Sequence, residues 1–174
     1  NVTGVQTCAL PICASNIKVD RLVGQRLTMS CSGASSTKLA GSVDKLTLSV
    51  TGASSLVAYE FTAQDLTVKV SGASTAKLLV QRSADAHVSG ASTLALQGAA
   101  DLFTIKCAGA STVKAADLKA QNVVADVSGA SGVKCYAARS IKGSVGCGSL
   151  TYGGHPTSFN VERQSSIASI KAVD

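Results

Sequence analysis

The tripeptide Gly-Ala-Ser recurs at Gly33, Gly52, Gly72, Gly90, Gly109 and Gly129, at spacings of 19, 20, 18, 19 and 20 residues. A degenerate seventh copy, Gly146-Cys147-Gly148-Ser149, follows 17 residues after the sixth. A fixed period of this length implies stacked units that bury their apolar faces only against one another. Two residues before each glycine stand Cys31, Val50, Val70, Val88, Cys107 and Val127. Four before stand Met29, Leu48, Val68, Ala86, Ile105 and Ala125, and six before stand Leu27, Leu46, Leu66, Ala84, Phe103 and Val123. This alternation is that of a half-buried strand. The fourth position after the glycine (Thr37, Leu56, Ala76, Leu94, Val113, Val133) and the sixth (Leu39, Ala58, Leu78, Leu96, Ala115, Cys135) continue it in a second, shorter strand.

One repeat therefore predicts two strands and two corners. The glycine supplies backbone freedom at one corner. The alanine after it is expected to point inward, where a tight corner leaves no room for more. Asp44, Asp65, Asp85, Asp101 and Asp117 suit the opposite corner as turn formers and are expected to form a column along one edge. The predicted fold class is all-β: a single-stranded right-handed parallel β-helix, or β-solenoid, of about seven coils with repeats of 18–20 residues. Its hand follows from the crossover rule. A helical solenoid would need longer units and helical periodicity, and a Gly in every copy with much Val, Thr and Ser opposes it. The repeats span about 20–150. Residues 150–174, with the turn signal Gly153-Gly154-His155-Pro156, are predicted to form a C-terminal capping hairpin that blocks end-to-end pairing.

Residues 2–12 read VTGVQTCALPI, which resembles a translated sequencing adapter of the kind carried by assembled environmental reads. Residues 1–13 are accordingly read as artefact, and 14–174 as a single β-helix domain. On this reading Cys8 and Cys13 carry no structural weight, and the natural N-terminus with any leader is expected to lie outside the sequence.

Composition narrows the function classes. Charged residues are 15% and apolar residues 45%, against a long disordered tail. Aromatics are 3% with no Trp, so base-stacking surfaces have little to build on. No apolar run approaches the length of a membrane-spanning helix. The net charge is +6. Lys38, Lys77, Lys114 and Lys134 all stand five residues after a repeat glycine. They predict an outward basic stripe, which is either a contact surface for an anionic polysaccharide or another cell surface, or a solvated face of gatekeeping lysines. Nucleic acid is not expected as a partner, because no aromatics interleave with the lysines. Ser and Thr also form ladders two and three residues after the Gly-Ala-Ser glycines, the second broken at Gly132, and are expected to bond corner backbone groups.

No catalytic, cofactor or metal-binding constellation emerges. Coil length varies too little for the long inserted loops on which pectin-degrading β-helices carry their sites. The Asp column could form a cation or sugar groove, or simply keep an edge soluble. His87 and His155 lie on separate elements, so no Ser-His-Asp triad can be argued. Cys31 and Cys107 share a column four coils apart, roughly 19 Å at the interstrand spacing, too far for a disulfide. Cys135 and Cys147 could bridge, but the cysteines are expected to act as small buried hydrophobes.

The repeated Ser-Gly-Ala-Ser corners and the closing run Gly146-Cys147-Gly148-Ser149-Leu150-Thr151-Tyr152-Gly153-Gly154-His155-Pro156 resemble the head GIN domain family of auto-transporter adhesins. The resemblance covers residues 16–172. Two departures are the final strand, Ser165–Ile170, without the usual glycines, and the lack of the family's N-terminal β-rich portion. The resemblance implies a bacterial β-helix in the cell envelope or outside the cell, an adhesin-like surface-binding module, and no catalytic residues. A monomer or weak oligomer is expected. The alternatives are a polymerising scaffold of bactofilin-like type and, less favoured, a polysaccharide-active enzyme.

Overall fold

The computed structural model describes residues 16–173; the adapter-like run, Cys8 and Cys13 lie outside the described residues. Seven long strands follow one another: β1 (Asn16–Cys31), β2 (Ser36–Val50), β3 (Ser55–Val70), β4 (Thr75–Val88), β5 (Thr93–Cys107), β6 (Thr112–Val127) and β7 (Gly132–Val145). Three short ones close the chain: β8 (Ser149–Gly153), β9 (Ser158–Arg163) and β10 (Ser169–Val173). Every pairing is parallel, each strand lying on the one from the previous coil. The chain is a parallel β-solenoid of about eight turns, one more than the repeat count, because β8 and β9 together complete a coil above β7.

Each full coil is one continuous strand of 14–16 residues rather than two. The far corner is a bend within that strand, where the register slips. Between β3 and β4, Ala58 faces Leu78 and Thr62 faces Leu79, so Tyr59, Glu60 and Phe61 bulge without partners in the ladder. This bulge absorbs the difference between the 20-residue and 18-residue repeats while pairing continues on both sides.

The apolar columns stack as their spacing predicts. All residues in the columns two, four and six before the glycine, and four and six after it, are buried. The near corner differs from expectation. The alanines (Ala34, Ala53, Ala73, Ala110) are exposed, while Ser35, Ser54, Ser74, Ser92, Ser111 and Ser131 are buried. A hydroxyl is the better inward group because the corner leaves carbonyls to satisfy. Ser92 Oγ donates to Ser89 O within its own corner (2.8 Å) and lies 3.2 Å from Gly72 O in the corner below. Ser54, Ser74, Ser111 and Ser131 repeat the arrangement. Replacing Ser92 by Ala should cost about 1–2 kcal/mol, since Ser89 O loses its donor at a part-buried corner while Gly72 O keeps only that from Ala91 N. Urea unfolding followed by tyrosine emission measures this, and an unchanged midpoint would mean that the hydroxyl ladder is not stabilising.

Gly33, Gly52, Gly72, Gly90, Gly109 and Gly129 all have φ between 67° and 81°. Gly146 does not share this conformation. The last corner is one residue shorter, and Gly148 takes the inward serine's slot, where a Cβ would lie 2.5 Å from Ser131 O.

Two further expectations are corrected. The ending is not a hairpin, because β8 and β9 both run parallel to β7 and β10 runs parallel to β8. Gly153-Gly154-His155-Pro156 is one more far corner, aligned between the pairs Tyr136–Gly153 and Ser140–Ser158. Losing the hairpin removes the argument against end-to-end stacking and supplies none in its favour. The aspartates do not form a column either. Asp65 faces Lys45 and Ser83, and Asp85 faces Thr67 and Thr104. The variable far-corner bulges shift each coil's register, so equal roles in a turn do not become equal rungs.

Candidate functional site

The stripe forms as a single ladder. Along the register run Lys18, Lys38, Val57, Lys77, Ala95, Lys114, Lys134, Thr151 and Lys171. Lys18 and Lys171 were missed by the repeat count, which began after the first and stopped before the second. A local signal existed: Asn16-Ile17-Lys18 and Ser169-Ile170-Lys171 have the same small-apolar-lysine pattern as Thr112-Val113-Lys114.

The ladder is outward because the residues on either side of each rung point in. Ala76 and Leu78 flank Lys77, and Val113 and Ala115 flank Lys114, all buried. Rungs are about 4.8 Å apart, so the potentials of the adjacent pairs Lys18–Lys38 and Lys114–Lys134 add within the screening length of about 8 Å, while lysines separated by Val57, Ala95 or Thr151 stand roughly 9.6 Å apart and couple more weakly. Lys18 is paired with Asp20 at 3.0 Å. Among the described residues the other ladder lysines have no carboxylate within ion-pair distance. Lys77 Nζ sits 6.0 Å from the Tyr59 ring centroid, a cation–π contact at the edge of the stripe. Beside the ladder runs an outward hydroxyl column of Ser36, Ser55, Thr75, Thr93, Thr112, Ser149 and Ser169, broken only at Gly132. The face thus presents cations next to hydroxyls over most of the solenoid's length.

The acidic residues are used differently. Arg82 Nε donates to Asp65 Oδ1 at 3.0 Å, Arg82 Nη2 bonds the second carboxylate oxygen, and Ser83 Oγ donates at 2.6 Å. The Arg82 and Ser83 hydrogen bonds hold the Asp65 carboxyl below its ordinary range. Asp44 accepts from Gln64 Nε2 at 3.1 Å, and Asp126 accepts from Ser144 Oγ at 3.2 Å. Each pair stitches one coil to the next. Among the described residues no three His, Cys, Asp or Glu side chains converge to hold a metal ion.

Cys31, Cys107, Cys135 and Cys147 are free, and the first three are buried. Burial pushes the thiols of Cys107 and Cys135 up to about 12, so at neutral pH they are unreactive filler. Cys147 is exposed at the short last corner and does not bridge Cys135. His155 is exposed in the last far corner, and His87 faces outward beside Asp85, with Nε2 3.4 Å from Oδ1.

No curated protein matches the chain. A solved structure of a putative adhesin from Bacteroides fragilis is similar, with 23% identity and a TM-score of 0.57 over 86% of this chain. This chain spans 60% of that protein's length, and at this identity the likeness bears on the fold alone. The family model for the putative auto-transporter adhesin, head GIN domain, matches residues 13–98 and 87–156. With most of its length covered by that match, the chain belongs to the putative auto-transporter adhesin, head GIN domain family.

Proposed function

We propose that this β-solenoid is a non-enzymatic binding module of the bacterial cell surface or exterior, and that it holds an anionic polysaccharide along the lysine ladder. The observation that carries the reading is the ladder itself. Lys18, Lys38, Lys77, Lys114, Lys134 and Lys171 share one outward column, next to a hydroxyl column of the same direction. A rigid linear array suits a linear polymer with repeated charges. Each contact is weak, and the sum is strong because every contact after the first is intramolecular. The family membership supports an adhesin-like surface role.

The test is calorimetric titration of the protein with polygalacturonate at low and high salt. The triple variant K77A/K114A/K134A should bind at least about tenfold more weakly and with a shallower salt dependence. Unchanged affinity in the variant, or equal binding of neutral dextran, would overturn the role of the ladder. The side chains are outside the core, so the variant should melt like the parent.

A further inference from the structure

On the face reached by crossing the Ser-Gly-Ala-Ser corner, a second outward column runs Ser49, Lys69, His87, Lys106, Asp126 and Ser144. Its rungs Lys69, His87 and Lys106 follow one per coil, with no insertion between them. The repeat spacing hides this column, since it holds a lysine in only two coils.

These residues line a groove of about 660 Å³ that follows the solenoid axis, within the range of small-ligand sites (about 300–1,000 Å³). Val70, Val88, Cys107 and Val127 border it but are buried in the core, so its open surface comes from the outward column and from Ser71, Ser89 and Ser128 at the corner. From Ser49 to Ser144 it spans five coil steps, roughly 24 Å at the interstrand spacing. Among the described residues Lys69 and Lys106 have no ion-pair partner. His87 keeps company with Asp85, whose buried Oδ1 makes no hydrogen bond.

The geometry points to a binding site for a short carboxylated oligosaccharide. Lys69 and Lys106 take carboxylates, and the serine hydroxyls and His87 bond sugar hydroxyls. Asp126 selects among anions. Its carboxylate only accepts hydrogen bonds, so the ligand must offer donors beside its negative charge. A uronic-acid sugar does so, while a phosphate chain offers acceptors alone and is repelled there. The groove lies on a sheet face rather than an edge, so an extended peptide has no free strand edge to pair with there.

This site is independent of the lysine ladder, and His87 reports on it while His155, outside both, serves as the internal control. His87 lies in the groove and His155 in the last far corner. Titration with tri-galacturonate should shift the His87 imidazole proton resonances saturably and leave those of His155 in place. K69Q/K106Q should weaken this response at least about tenfold, with the melting temperature unchanged. K114Q/K134Q, which alters the ladder, should leave it intact. The assignment is overturned if His87 does not respond, or if K69Q/K106Q responds like the parent. It also fails if K114Q/K134Q abolishes the response, or if tripolyphosphate produces it equally well.

Discussion

Gly90→Ala should destabilise the solenoid by about 2–4 kcal/mol, although it adds a single methyl group. Two effects combine. Gly90 has φ +74°, a conformation that costs an L-residue on the order of 1–2 kcal/mol. The added Cβ would also lie 2.6 Å from Gly72 O, inside any tolerable contact. That oxygen is in use, because Ala91 N donates to it at 2.8 Å and Ser92 Oγ lies 3.2 Å away. The methyl group can be admitted only by lifting one corner off the next, which strains both contacts. Gly90 is a middle rung, so the damage falls where both halves of the stack depend on their shared interface. Gly132→Ala is the control. Its Cβ would meet only Ser149 Oγ at 3.6 Å, and its φ is outside the left-handed region, so stability should hold within about 0.5 kcal/mol. Urea midpoints for the two variants decide the matter. Equal midpoints would mean that the corners are not in the close contact described.

The reach of the sequence can be traced to the same corner. The apolar columns were legible because strand alternation with a repeated glycine leaves little choice of which side chains point in. The inward residue at the corner was assigned to alanine by size alone. Serine takes that place because unsatisfied carbonyls outweigh the burial of a methyl group, and hydrogen-bond demand at a bend does not show in a hydropathy pattern. The aspartates failed to line up because the far corner absorbs the difference between 20- and 18-residue repeats as a bulge, so Asp65 and Asp85 land on different rungs. The ladder of Lys38, Lys77, Lys114 and Lys134 was legible because it lies soon after the glycine, before any bulge can shift the register. The column of Lys69, His87 and Lys106 lies shortly before the next glycine and is equally well registered, but its chemistry changes from coil to coil. Seeing it as one site needs the groove, and the groove is a property of the stacked corners rather than of any one repeat.

Phe103→Ala should be the most damaging core substitution in the middle of the stack, at about 3–5 kcal/mol. The ring is fully buried. In its column it stands between Ala84 below and Val123 above. Beside it, Ile105 stands over Ala86. Coil four thus offers two small residues exactly where coil five offers two large ones, and the interior is filled by that exchange of volume along the axis. With Phe103 removed, Ala would face Ala in neighbouring coils. The hydrogen-bonded ladders on both sides hold the coils at their fixed spacing, so the space cannot collapse and a cavity remains. The swapped double variant A84F/F103A returns the ring to the same column one coil lower and should recover part of the loss. If the two substitutions simply add, the positions do not share space. If Phe103→Ala alone costs less than about 1 kcal/mol, the ring is not filling the interior as its burial implies. Recovery in the swap would mean that this fold constrains summed volume along each column more tightly than the identity of any one rung. A repeat of this kind can then vary its interior freely from coil to coil while its corners stay the same.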